Sequence, residues 1–194
     1  MTIDLTPRTI LITGGLGALA EHILKALAAA GATLVITDRQ AATDAAPVLD
    51  SWGLGGHTYL PLDVTDPDSV QRAVAAAFAR HPGIDIALGH AGGTGIFPFE
   101  TGSREQFDQL VTFNFLGQTW FAREVLRHWR ATACAGHLIF TSSYVARLPM
   151  AGIAAYTASK AALEMFARNL ALEYAAHGIR VNCVSPGNVA AGSS

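Results

Sequence analysis

Short apolar, β-branched runs alternate with helix-like stretches from one end of the chain to the other. Thr9–Thr13 is the first such run. Glycines follow it, and an Ala/Leu-rich stretch from Leu16 to Ala30, closed by Gly31, has helical spacing. Thr33–Thr37 is a second run, ended by Asp38; a weaker helix is expected around Asp44–Trp52 and a strand at His57–Leu60. Asp66-Pro67 reads as a helix start, aspartate as cap and proline in the first turn, with the helix running to about Arg80. Strand Ile84–Leu88 comes next, and Arg104–Arg130 reads as one or two helices around Asn114. His137–Thr141 is a fifth strand, Ala154–Ala176 a long helix stopped by Gly178, and Ile179–Val184 a sixth strand.

Strands that are apolar throughout and separated by helices predict a parallel sheet covered on both faces, an α/β class with three layers. Right-handed crossovers leave few topologies. The foremost is the doubly wound nucleotide-binding sheet. No linker or repeat interrupts the pattern, so residues 1–194 are read as a single domain.

Composition narrows the reading. The 194 residues are 51% hydrophobic and 14% charged, enough for a good core and too few charges for a disordered chain. The formal net charge is −2, and the Lys and Arg residues are scattered, which argues against nucleic-acid binding. The first ten residues lack the basic start and apolar run of a leader, and no segment approaches the ~18 apolar residues needed to cross a bilayer. A cytoplasmic location is the expectation. Cys134 and Cys183 lie far apart in apolar surroundings and are expected to be buried thiols in a reducing compartment. The seven histidines show no ligand-like spacing, so no metal site is expected.

The glycine-rich turn Gly14-Gly15-Leu16-Gly17-Ala18-Leu19 sits between the first strand and the first helix. There, glycines permit a tight turn and let backbone N–H groups approach a pyrophosphate at the helix start. Asp38 ends the second strand at the distance along the chain where an acid meets the ribose hydroxyls of a dinucleotide. A carboxylate there repels a 2′-phosphate, so NAD is favoured over NADP. Arg39 complicates this, because its guanidinium can pair with that phosphate or lie against the adenine.

Tyr156 and Lys160 stand four residues apart, on one helical face. An ammonium beside a phenol stabilises the phenolate, as a proton carrier near neutrality requires. Ser142-Ser143 ends the preceding strand, and Lys160 is one of only two lysines.

Together these residues resemble the short-chain dehydrogenase/reductase family in its compact form. The matches run in order: the turn Thr13–Ala20, Asp63-Val64, Ala91-Gly92, Asn114, Ser143, Tyr156-x-x-x-Lys160, and Pro186-Gly187-Asn188-Val189. The resemblance implies a Rossmann fold with strand order 3-2-1-4-5-6. It also implies that Tyr156 is the general acid/base, that Ser143 holds the substrate oxygen, and that Lys160 assists Tyr156 and binds the nicotinamide ribose. Asn114 would hold a water that links Lys160 to solvent. Asp63 and Val64 would border the adenine, and Pro186, Gly187 and Val189 the nicotinamide end. The substrate is then an alcohol or ketone, the cofactor NAD or less favourably NADP, and the assembly a dimer or tetramer of the chain. An NADP-dependent carbonyl or 3-oxoacyl reductase and a catalytically inactive dinucleotide sensor stand as alternatives.

The sequence departs from the family at three places. Ala18 and Ala20 replace the last two glycines of the compact turn, so the turn also resembles the longer form that processes sugar nucleotides. His90, in Gly89-His90-Ala91-Gly92, replaces an asparagine that braces the sheet; it is expected to be a core histidine bonded to nearby backbone while bordering the cofactor. Ala191 replaces a threonine that meets the carboxamide, a role left to Ser193 or Ser194. Gly93–Phe99, Tyr144–Met150 and the residues from Asn188 onward are expected to line a substrate pocket; they are mostly apolar and mildly favour an apolar alcohol or ketone. Compact members run to roughly 250 residues, at the upper end for a single domain. The 194 residues therefore read as stopping before the substrate lid and seventh strand.

Overall fold

Each apolar run forms a strand because β-branched residues favour the pleated, doubly buried surface of a parallel sheet. The computed structural model describes residues 3–189. The strands are β1 (Thr9–Thr13), β2 (Thr33–Asp38), β3 (Thr58–Pro61), β4 (Ile84–Gly89), β5 (Gly136–Thr141) and β6 (Ile179–Val184). They form one parallel sheet in the order β3-β2-β1-β4-β5-β6, as expected. The helices are α1 (Ala18–Ala29), α2 (Ala42–Ser51), α3 (Pro67–Arg80), α4 (Arg104–Val111), α5 (Gly117–Ala131) and α6 (Ala154–Tyr174). No described helix is long and apolar enough to cross a membrane.

Alternation along the central strands feeds two cores. Leu11 and Val35 face one cluster, packed by α3, α5 and α6 through Val74, Phe121 and Leu163. Ile10, Ile12, Leu34 and Ile36 face the other, packed by α1 and α2 through Leu24 and Leu49. Both faces of β1 are buried, so the C-terminal ends of β1 and β4 stay fixed relative to each other.

Local chemistry sets the helix ends. Asp66 caps α3 by accepting the Asp68 N–H at 2.9 Å. Ser103 and Gln106 close a reciprocal capping box at the start of α4. Between α4 and α5 the helix widens into a π turn over Thr112–Leu116, so the expected one or two helices are two α segments joined without a break. Such an extra residue in a turn often marks a functional position, and here it turns Asn114 fully inward.

One expectation fails in this frame. Cys134 is exposed and Cys183 half-buried, and neither is in a disulfide. Cys134 lies in the turn after α5, where its N–H bonds the Trp129 carbonyl while its side chain faces outward. Its apolar neighbours belong to a turn, not to the core.

Candidate active site

The sheet order reverses between β1 and β4, and such a switch point opens a crevice at the strand C-termini. Thr13 holds the two ends together: its hydroxyl accepts the N–H groups of His90 at 3.0 Å and Ala91 at 3.1 Å. Gly14 then takes φ +70°, and a Cβ there would stand 2.7 Å from the Ala91 Cα. A side chain at this position would collide with β4's own continuation. Gly17 precedes α1 without any side-chain cap, so the first N–H groups of the helix face the crevice unclaimed by side chains.

Asp38 is tied to this turn. One carboxylate oxygen accepts the Leu16 N–H at 3.0 Å and the other accepts the Arg39 N–H at 2.8 Å. The Tyr59 hydroxyl holds the backbone beyond, donating to the Asp38 and Gln40 carbonyls. Ala20, at the position of the last glycine, is fully buried, so the α1 packing accommodates its methyl group.

A cavity of about 540 Å³ occupies the crevice. Its walls include Gly14, Gly17, Ala18, Leu19, Asp38, His90, Ala91, Gly92, Ser143, Tyr156, Lys160, Pro186, Gly187 and Val189. A recess of about 170 Å³ shares Gly14, Asp38 and Ala91 with it and adds Arg39, Asp63 and Val64. Three expected residues stand behind the walls. Gly15 packs on Ile36 with its N–H bonded to the Thr37 carbonyl, Leu16 serves through its backbone bond to Asp38, and Asn114 lies one layer deeper. Gly117 lets α5 approach Val64 closely, because a Cβ there would stand 2.6 Å from the Val64 carbonyl oxygen.

At the other end, α6 presents Tyr156 and Lys160. The Lys160 Nζ lies 5.9 Å from the Tyr156 ring centre and donates to the Thr141 carbonyl at 2.8 Å. Lys160 is 3% exposed, and burial pushes its ammonium down to about 8. Ser143 follows β5 and is buried at the cavity wall. The Asn114 amide grips Gly93 in both directions, accepting its N–H at 3.0 Å and donating to its carbonyl at 2.9 Å. A Cβ on Gly92 would stand 2.8 Å from the Asn114 Oδ1 and 3.0 Å from the Lys160 Nζ. Only glycine fits between these two groups.

His90 differs from its expectation in its partner. Its Nδ1 pairs with the Thr141 hydroxyl at 3.0 Å, a side chain on the neighbouring strand rather than nearby backbone. Burial, reinforced by the charge of Lys160, pushes the imidazole down to about 4, so it is neutral at pH 7. A histidine lowered on folding stabilises fully above its ordinary value of 6.5, and that contribution is lost as pH falls through 4. His90→Asn should therefore flatten the acid loss of stability between pH 6.5 and 4, read as melting temperature against pH. An unchanged slope would mean that His90 is not the group titrating.

Gly93 and Thr94, from the expected Gly93–Phe99 stretch, line the cavity, whereas Thr141 and Phe113 at its wall were not foreseen. Thr141 could have been suspected from its place beside Ser142-Ser143, but its double grip on Lys160 and His90 is visible only in three dimensions. Tyr144–Met150 does not line the main cavity; Leu148 and Met150 are exposed beside it. Ile96 and Phe97 border an adjoining groove of about 770 Å³ along α4, which shares Gly93, Thr94 and Phe113 with the cavity. Ala191, Ser193 and Ser194 lie outside the described residues.

The family model described as short chain dehydrogenase matches residues 8–194. An L-fucose dehydrogenase of Mus musculus is 32% identical over 184 residues, covering 94% of this chain and 65% of its own length. A glucose 1-dehydrogenase of Gluconobacter oxydans is 31% identical over 187 residues, covering 94% and 69%. The chain thus spans about two thirds of the length of these curated relatives. A crystal structure of a dehydrogenase/reductase from Sinorhizobium meliloti superposes with a TM-score of 0.85 at 30% identity, covering 97% of this chain and 75% of that one. With the sheet order, the glycine turn and the Ser143, Tyr156 and Lys160 cluster in place, the chain belongs to the short-chain dehydrogenase family.

Proposed function

We propose that this chain carries the cofactor-binding and proton-transferring machinery of an oxidoreductase that moves a hydride between NAD(H) and an alcohol or ketone. One observation carries the reading. A single cavity joins the uncapped start of α1 and Asp38 at one end to Ser143, Tyr156 and Lys160 at the other.

The residues present suit a dinucleotide. The N–H groups of the first turn of α1 and the helix dipole favour a pyrophosphate there. Gly14 leaves room for it, and the Asp38 oxygens keep acceptor capacity beyond their two backbone bonds. A bound nicotinamide supplies the carbon that gives or takes the hydride, while the protein supplies placement and electrostatics.

In reduction, the Tyr156 hydroxyl gives its proton to the carbonyl oxygen as the hydride arrives; in oxidation, its phenolate takes the proton from the hydroxyl. The Ser143 hydroxyl holds the same oxygen and meets the charge that develops on it. The Lys160 ammonium, kept in place by the Thr141 carbonyl, stabilises the phenolate and binds the ribose. Asn114, gripped by Gly93 and separated from Lys160 by Gly92, fits the role of holding a relay water that returns the proton to Tyr156.

NAD is the preferred cofactor because Asp38 is set where it accepts ribose hydroxyls and repels a 2′-phosphate. Arg39 at the recess favours the NADP-linked reductase as a second reading. Asp38→Ser should lower the NADH over NADPH preference about tenfold or more, since a hydrogen bond to a charged group is worth about 1.5–3 kcal/mol. A parent protein that already binds NADPH more tightly would overturn the preference.

Ile96, Phe99, Leu148 and Met150 are all at least half exposed on the loops that follow the strand ends. This rim favours an apolar alcohol or ketone, whereas sugars are the alternative suggested by the named relatives. A cytoplasmic location and a homodimer or homotetramer complete the reading; analytical ultracentrifugation decides the assembly. The function itself is tested by NADH absorbance across a panel of apolar ketones and sugars, with turnover of at least one expected and none contradicting it.

A further inference from the structure

Glu164 stands on α6 one turn beyond Lys160 and is only 6% exposed. Three side chains from three segments converge on its carboxylate. The hydroxyls of Ser142 and Ser185 donate to one oxygen at 3.1 and 2.8 Å, and the Arg147 Nε donates to the other at 2.8 Å. The Arg168 guanidinium lies 3.9 Å from the second oxygen. Burial pushes this carboxyl up, but the bonds from Arg147, Ser185 and Ser142 outweigh it and hold the group below its ordinary range.

Each donor adjoins the site. Ser142 precedes Ser143, Ser185 precedes Pro186 and Gly187, and Arg147 ends the short turn after Ser143. The Tyr144 N–H also bonds the Pro186 carbonyl at 3.1 Å, so these segments already touch one another. Packing a helix on a sheet needs no buried carboxylate, and such a charge is costly unless its partners are held. Here it ties the helix that carries Tyr156 and Lys160 to both loops that face them.

We infer that Glu164 is a positioning residue, whose carboxylate sets Ser143 and the Pro186–Gly187 wall relative to Tyr156 and Lys160. The inference rests on the oxidoreductase reading for what that geometry serves. Glu164→Leu removes the acceptor while roughly keeping volume. Glu164→Gln keeps an oxygen for both serines. The pair Ser142→Ala/Ser185→Ala cuts the same links with the carboxylate left in place, and decides the matter if Glu164→Leu does not fold.

Hydrogen exchange and kinetics are measured on each full-length variant. In Glu164→Leu and in the double serine variant, exchange should rise in residues 141–147 and 184–188 and stay unchanged in residues 9–20. Turnover should fall about tenfold to a hundredfold, the scale of a misplaced reacting group, with NADH affinity moving by less than about threefold. Glu164→Gln should recover most of the loss, and the triple variant should be no worse than Glu164→Leu, because the groups act as one unit. Parent-like exchange and turnover, exchange that rises over the whole chain, or a Glu164→Gln as impaired as Glu164→Leu would each overturn the inference. If the parent itself turns over nothing, the oxidoreductase reading fails, and the exchange pattern still decides whether Glu164 fixes these segments.

Discussion

Tyr156→Phe should lower turnover by about 10²–10⁴-fold, the usual contribution of a positioned proton carrier, while NADH binding changes less than about twofold. The titratable groups at the cavity wall are Asp38, His90, Tyr156 and Lys160. Asp38 lies at the α1 end of the cavity and is engaged by two backbone N–H groups. His90 is neutral and paired with Thr141, and the Lys160 ammonium, held by the Thr141 carbonyl, stands beside the Tyr156 ring with donors left to support it. That leaves the Tyr156 hydroxyl, on a half-buried ring whose packing phenylalanine preserves. Steady-state kinetics with fluorescence titration of NADH separates the two effects. Undiminished turnover would move the proton to another group.

Lys160→Met should have the second largest effect, and in two opposite directions. Turnover should drop by about a hundredfold or more, because the charge that favours the phenolate is removed from a water-poor site where it counts most. NADH should also bind more weakly, since the ribose loses its cationic partner. Folding should not suffer. Lys160 is buried with one carbonyl as its hydrogen-bond acceptor, and its lowered titration near 8 reflects the cost of that burial. A methionine of similar length removes the cost, so the cofactor-free protein should melt at the same temperature or higher at pH 7. The parent should close this gap as pH rises from about 8 toward 10.5, where folding no longer forces a proton off the lysine. A variant that melts lower than the parent, or that keeps its turnover, would contradict the assigned role.

The order of the elements and the parallel sheet were legible because short runs that are apolar throughout alternate without a break with stretches of helical spacing. Boundaries moved by a residue or two where a strand ends in glycine, as at Gly89, or where a helix starts in a turn, as at Ala18. The cofactor half of the site was legible for a local reason: Gly14, Gly17 and Asp38 each answer to a backbone need within one strand–helix–strand unit. The π turn was not, since nothing in Thr112–Leu116 distinguishes it from ordinary helix; its Asn114 is locked by Gly93, which is distant in sequence. The partners of His90 and Glu164 were hidden for the same reason. Glu164 is four residues from Lys160 and could have been placed on the same face, but Ser142 and Ser185 join it only through the sheet.

On the proposed function, hydride passes between an alcohol carbon and a nicotinamide held in this crevice. The direct measurement is mass spectrometry of the reduced cofactor after the full-length protein acts on alcohols carrying deuterium at the carbinol carbon, with NAD and NADP supplied separately. NADH enriched in deuterium is expected from at least one alcohol, with that product lost in Tyr156→Phe. Reduced cofactor free of deuterium, or none from any alcohol tested, would contradict it.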